Sequence, residues 1–282
     1  MDESGFFSKK RILIVGLGLM GGSLALALHG KTAWLGGVDP SDEGLNLASK
    51  LNIFDALSKN LLDLLPESDI VLLAAPVSQN IKIIQSLPPG ESGQVILDLS
   101  STKRKVVSAM NSLPPSYDPM GGHPMCGSEK SSIRNARPDL FSGAVFILTP
   151  LTRTTQHAEI TVLNLVDQIG AVPLFLDPQS HDQIAAEISH FPYILSAALS
   201  LSTSTQSKSL ISTGFKSTAR LAGSSPTMML DILLSNPDNV LNAISAFKLI
   251  LAEFENALKN QDVDRLSALI QQANTKYNGL IS

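Results

Sequence analysis

Cysteine is nearly absent. Cys126 stands alone among 282 residues, which excludes an internal disulfide and argues against a zinc cluster. Charge is also sparse: Asp, Glu, Lys and Arg make up 16% of the chain, and the formal net charge of −4 gives no basic footprint for nucleic acid. No segment reaches 18 consecutive apolar residues, which argues against a transmembrane span. The first ten residues, MDESGFFSKK, carry acids and lack the apolar centre of a signal peptide. Residues 1–9 therefore read as a loose tail, and the cytoplasm as the compartment. What the chain does have is apolar content, 44% of its residues, and enough length for two domains with a substantial core.

Up to residue 177, short apolar runs alternate with amphipathic or small-residue segments. The candidate strands are 11–16, 33–39, 69–75, 94–98, 118–122, 143–149 and 172–176, with helical candidates at 20–30, 41–50, 78–86, 102–112 and 154–169. Such alternation predicts a doubly wound parallel sheet of the α/β Rossmann type. After Asp177-Pro178 the β-like pattern stops, and helical spacing of Leu, Ile, Ala and Met takes over. The expected division is therefore 1–177 for the sheet domain and 178–282 for an all-α domain. Apolar residues on more than one face of those helices predict a homodimer formed through them.

The stretch RILIVGLGLMGGSLA identifies a cofactor. Ile12 to Val15 read as a buried strand, and Gly16, Gly18 and Gly21 give the G-x-G-x-x-G spacing that lets a helix N-terminus receive a pyrophosphate. Leu19 and Met20 open that helix. The second apolar run ends in Asp39, about 20 residues on, where a carboxylate binds the ribose hydroxyls of NAD. Asp39, Asp42 and Glu43 repel a 2′-phosphate, and no Lys or Arg lies between residues 32 and 49, so the cofactor expected is NAD.

Three strand ends are candidates for the chemistry, because substrates of such sheets sit there. Ala75-Pro76 would lie beside the cofactor or form an ordinary turn. In Asp98-Leu-Ser-Ser-Thr-Lys103, Ser100 or Ser101 would cap a helix, face the ligand, or do both. Gly121-Gly-His-Pro-Met-Cys-Gly-Ser128 reads as a glycine-rich loop carrying His123, either a structural histidine or a base able to take a hydroxyl proton near neutral pH. In the helical half, His190 reads as a core residue at a helix end. Arg220 reads as an interface ion pair or as a guanidinium fork for a carboxylate. His181, beside Asp182, reads as a residue near a helix N-terminus.

Taken in order, GLGLMGGSLA, DLSSTK, GGHPMCGSE, SHFP and GFKSTAR resemble the prephenate and arogenate dehydrogenases of tyrosine biosynthesis, from about residue 10 to the end. The resemblance implies a Rossmann domain followed by a helical dimerisation domain. It also implies oxidative decarboxylation of a cyclohexadienol acid with hydride transfer to NAD, giving 4-hydroxyphenylpyruvate or tyrosine. On this chain it makes His123 the base and places Ser101 at the same hydroxyl and at the nicotinamide. Arg220 would grip a substrate carboxylate, and Ser128, Glu129 and His190 would line the pocket or couple the domains. Ser217 stands where the family often has aspartate, which leans towards prephenate. Tyr193 stands where some prephenate-using members have histidine, which leans the other way. With no regulatory segment in view, inhibition by tyrosine would act at the active site. Two rival readings stay open: a β-hydroxyacid or imine-type dehydrogenase relying on Lys208 or Lys216, and a non-catalytic NAD-binding sensor.

Overall fold

The computed structural model describes residues 3–90, 93–127 and 132–281. By internal contacts the chain falls into two units, Met1–Asn236 and Pro237–Ser282.

The first unit is built on eight strands: β1 (Arg11–Val15), β2 (Trp34–Val38), β3 (Ala56–Ser58), β4 (Ile70–Leu73), β5 (Gln94–Asp98), β6 (Tyr117–Pro124), β7 (Val145–Pro150) and β8 (Val172–Phe175). Their order in the sheet is β3-β2-β1-β4-β5-β6-β7-β8. The strands from β3 to β6 pair parallel. The sequence pattern predicted a parallel sheet, and the sheet departs from that at one place: β7 runs antiparallel to β6, and β8 then pairs parallel with β7. Strand β3, only three residues long, gave no readable apolar run.

Helices α1 (Leu19–Leu28), α2 (Asp42–Ser49), α3 (Val77–Ser86), α4 (Arg104–Met110) and α5 (Gln156–Gln168) connect these strands. Side chains alternate across a strand, so β1 feeds two cores. Ile12 and Ile14 pack in one cluster with Leu24, Leu28 and Phe146, while Leu13 and Val15 pack in the other with Val71, Ile96 and Val106. That two-sided burial is why β1 reads as an unbroken aliphatic run. Chain order reverses between β1 and β4, and the crevice at their carboxyl ends is where such sheets bind ligands. The N-terminal segment is not a loose tail: Glu3–Lys9 forms a 3₁₀ turn, and Phe7, 2% exposed, joins the core.

Beyond the sheet come α6 (Pro178–Ala185), a single π-helical turn at Ala186–His190, α7 (Phe191–Ser202), α8 (Thr213–Ala219) and α9 (Pro226–Ser235). Asp177 starts α6 by accepting the N–H groups of Gln179 and Ser180, with Pro178 at the first helical position. The continuous helical run Pro178–Ser202 is 25 residues long and holds an 18-residue window of mean hydropathy 1.3, so by length and composition it matches a membrane span. Its first half is tied to the sheet by buried polar side chains instead. His181, Asp182 and His190 are buried, and Asp182 accepts the backbone N–H of Lys103. Helix α9 docks the same way, through Asp231 on the N–H of Ser78 and Ser235 on the hydroxyl of Thr102. These ties to the sheet explain why the first compact unit runs on to Asn236.

The second unit is the pair α10 (Pro237–Lys259) and α11 (Val263–Ile281). Asp262 accepts the N–H of Arg265 at the start of α11, and Arg265 pairs with Glu253. On these helices Leu249, Ile250, Leu251, Ile270, Leu280 and Ile281 are all more than half exposed.

Candidate active site

A cleft of about 990 Å³ opens at the carboxyl ends of the central strands. Its floor is the glycine turn after β1. Gly16 has φ +93°, and a Cβ there would lie 2.7 Å from the backbone nitrogen of Ala75. At Gly21 a Cβ would lie 2.0 Å from the carbonyl oxygen of Gly16. Neither position tolerates a side chain, so the turn presents bare backbone and the first N–H groups of α1 to the cleft, a geometry suited to a pyrophosphate. Asp39, just past β2, accepts the N–H of Leu17 at 2.8 Å and of Ser41 at 2.9 Å. A carboxylate offers about four acceptor positions, so both of its oxygens keep capacity for ribose hydroxyls.

Of the residues singled out from sequence, Gly16, Gly18, Leu19, Met20, Asp39, Ala75, Pro76, Ser101, His123 and Arg220 all line this one cleft. They come from positions up to 204 residues apart (220 minus 16). Gly21 acts beneath it, where α1 packs on the strand. Ser128 and Glu129 lie outside the described residues. His190 does not line the cleft: it is buried, with the Asn236 amide 3.4 Å from its Nδ1, while its neighbours Ser189 and Tyr193 reach the cavity.

Two local expectations change. His123 is not on a loop. It belongs to β6, paired with Ile147 of the antiparallel β7, and that pairing holds the Gly-Gly-His-Pro stretch extended. Neither Ser100 nor Ser101 caps α4. The Ser100 hydroxyl donates to Asp98, and Asp182 of α6 accepts the N–H groups of Lys103 and Arg104 at 2.6 and 3.0 Å.

Behind the cleft lies a polar cluster built on Asp98 and Lys103, the two ends of the DLSSTK segment, whose pairing the sequence did not reveal. Lys103 is fully buried. Its ammonium pairs with Asp98 and donates to the carbonyl of Gly122, the residue before His123. The Asn80 amide and the Ser100 hydroxyl complete the shell around Asp98. Burial pulls the Lys103 pKa below the ordinary lysine value, and Asp98 opposes that pull. On the other side, His123 Nδ1 lies 2.8 Å from His181 Nε2, and His181 Nδ1 lies 2.8 Å from Asp182.

Family models match the chain in two consecutive parts: "Prephenate dehydrogenase, nucleotide-binding domain" over residues 23–174, and "Prephenate dehydrogenase, dimerization domain" over 177–272. The chain belongs to the prephenate dehydrogenase family. Among curated members of that family, the prephenate dehydrogenase of Bacillus subtilis is 35% identical, across 96% of this chain and 76% of the relative. Among solved structures, prephenate dehydrogenase from A. aeolicus, in complex with hydroxyphenyl propionate and NAD+, superposes with a TM-score of 0.89 at 28% identity, covering 98% of this chain and 99% of that one. Synechocystis arogenate dehydrogenase gives 0.78 at 27% identity over 96% and 99%.

The histidines at this family site are held neutral. Burial, together with His181, Lys103 and His190, sets the His123 pKa well below the ordinary value. Burial lowers His181 against the pull of Asp182, and takes His190 down to about 4. In the unfolded chain all three regain ordinary values near 6.5. Between the folded and unfolded values the unfolded chain binds more protons, so stability is full above about pH 6.5 and is lost as pH falls. Urea midpoints are expected to drop from pH 7.5 to 5.0. An unchanged midpoint would mean that these imidazoles are not buried neutral.

Proposed function

We propose that this chain oxidatively decarboxylates prephenate or arogenate, with NAD as hydride acceptor, as a step in making an aromatic amino acid. The observation that carries this reading is the convergence on one cleft of the glycine turn, His123 and Arg220. Bound NAD would supply the acceptor for a hydride from the ring carbon that bears the hydroxyl. Gly16, Gly18, Leu19, Met20 and Gly21 form its pyrophosphate cradle, Asp39 holds its ribose, and Ala75, Pro76 and Ser101 flank it. His123 accepts the proton of the substrate hydroxyl, and Ser101 steadies that hydroxyl. Arg220 holds a substrate carboxylate, Ser128 and Glu129 are assigned to substrate binding by the family resemblance alone, and His190 stands behind the cleft. The ring carboxylate leaves as carbon dioxide. Its bonding pair flows into the ring, which becomes aromatic, and the phenol oxygen regains a proton. Because aromatisation drives the reaction, orientation and one base are the main demands on the protein.

Neither Lys208 nor Lys216 lines the cleft, which counts against the lysine-dependent dehydrogenase reading. The functional division falls at residue 177, the sheet supplying the cofactor site and the helices supplying Arg220. The chain works as a homodimer, a reading supported by the exposed leucines and isoleucines of α10 and α11 and by the dimerization model matched there. The cytoplasm, where small-molecule biosynthesis runs, is its place.

The deciding assay is NADH formation with prephenate and arogenate side by side. Turnover of either supports the reading, and turnover of neither removes it. Asp39→Ala is expected to raise the NAD KM by roughly tenfold or more, since charge-assisted hydrogen bonds contribute about 1.5–3 kcal/mol, with kcat near wild type. Isothermal titration with NAD checks this, and an unchanged affinity would relieve Asp39 of its ribose role.

A further inference from the structure

The polar chain behind His123 runs across two parts of the fold. His123 lies on β6, while His181 and Asp182 lie on α6. Asp182 is completely buried, and its carboxylate accepts from the Lys103 N–H, the Arg104 N–H and Nε, and His181 Nδ1. Burial by itself would raise its pKa. The hydrogen bonds from His181 and the two backbone donors outweigh burial, and the pKa is lowered. An ionised carboxylate only accepts, so the proton between Asp182 and His181 sits on His181 Nδ1. His181 is neutral, because burial lowers its pKa, and its Nε2 therefore carries a bare lone pair. That lone pair lies 2.8 Å from His123 Nδ1. With His181 neutral and its proton on Nδ1, one arrangement makes this contact a hydrogen bond: His123 donates through Nδ1–H. The other ring nitrogen, Nε2, is then the unprotonated one on the ring that lines the cleft.

We propose that Asp182 and His181 are positioning residues that hold His123 in its Nδ1–H tautomer, leaving Nε2 as the proton acceptor for the substrate hydroxyl. The inference rests on His123 being the base. Its direction follows from the acceptor at the far end. Were His181 protonated, both its nitrogens would donate, and His123 Nδ1 would have to accept, placing its own proton on Nε2 and blocking the base. Among the described residues, the charged and titratable groups around His181 include Asp182 on α6, Lys103 before α4, Arg104 on α4, Asp98 on β5, His123 on β6 and His190 at the end of the π-helical turn, and burial among them keeps His181 neutral. The same carboxylate receives the first N–H groups of α4, so the element that sets the tautomer is locked to the sheet side of the cleft.

The test uses full-length protein with ¹⁵N-labelled histidine and NAD added, read by long-range ¹H–¹⁵N NMR alongside kcat and KM. In wild type, His123 is expected to show a protonated Nδ1 and a bare Nε2. His181→Phe removes the acceptor. His123 is then expected to move towards the Nε2–H form, and kcat to fall by at least about tenfold with little change in the NAD KM, as a wrong tautomer does in other histidine bases. His181→Gln places an amide carbonyl near the lost lone pair and is expected to restore most of the turnover and the Nδ1–H signal. A wild-type His123 protonated on Nε2 overturns the proposal. So does a folded His181→Phe protein with unchanged tautomer and kcat. If His181→Phe does not fold, the wild-type tautomer and the His181→Gln variant decide. If His123→Asn keeps full turnover, the base assignment itself is wrong. If His123→Asn is inactive while His181→Phe is wild-type in both readouts, only the positioning role falls.

Discussion

Replacing His123 with asparagine is expected to cut turnover by about 10²–10⁴-fold, the range for loss of a general base, on whichever of prephenate and arogenate the enzyme uses. NAD affinity should stay close to wild type, because the proposed cofactor cradle is the turn after β1 with Asp39, away from the imidazole. Asparagine is the informative choice. Its amide can still donate towards His181 Nε2, where His123 Nδ1 now sits at 2.8 Å, so the buried chain keeps a partner while the proton acceptor is lost. Because burial holds the His123 pKa well below the ordinary value, the wild-type kcat/KM should stay level as pH drops from 8 through 6.5 and decline only below that. Steady-state kinetics across pH, with NAD titrations of both proteins, check the two parts. Unchanged turnover in the variant removes His123 from the mechanism.

The second large effect belongs to stability. Lys103→Met is expected to destabilise the fold by about 3–5 kcal/mol, the cost of leaving a buried charge without its partner. Lys103 and Asp98 are both fully buried, and the retained Ser100 and Asn80 contacts cannot supply the missing positive charge. The same substitution releases the carbonyl of Gly122, so the backbone that carries His123 loses a donor as well. Urea titration should show a lower midpoint with an unchanged slope. Replacing both partners, Lys103→Met with Asp98→Leu, should recover much of the loss, because no lone charge then remains inside. A single variant as stable as wild type would mean that the pair contributes nothing to holding the site.

Much of the site was legible because it is local. The glycine spacing is a backbone requirement of a few consecutive residues, and at Gly16 and Gly21 the structure shows the contacts a side chain would make. Asp39 follows from the reach of one β-α-β unit. The alternation of strands and helices also carried the sheet, because buried parallel strands must be apolar on both faces. Three-residue β3 and the reversal of β7 were not legible, since a short strand has no period and strand direction is a property of pairing. The serines before α4 looked like caps by local rule. The acceptor that fills that role comes from Asp182, nearly 80 residues away, and no local pattern encodes it.

By itself, then, the sequence determined the Rossmann-type sheet, NAD as the cofactor, the family and the candidacy of the glycine turn, Asp39, His123, Ser101 and Arg220, because each depends on short-range geometry or on a motif. Only the tertiary structure decided which of these share a cleft, that His123 sits on a strand, and that Lys103, Asp98, His181 and Asp182 stand behind it. The reason is physical. Burial of a lysine, pairing of a carboxylate and the tautomer of an imidazole are settled by what surrounds a side chain after packing, and those neighbours come from β5, β6, α4 and α6 together.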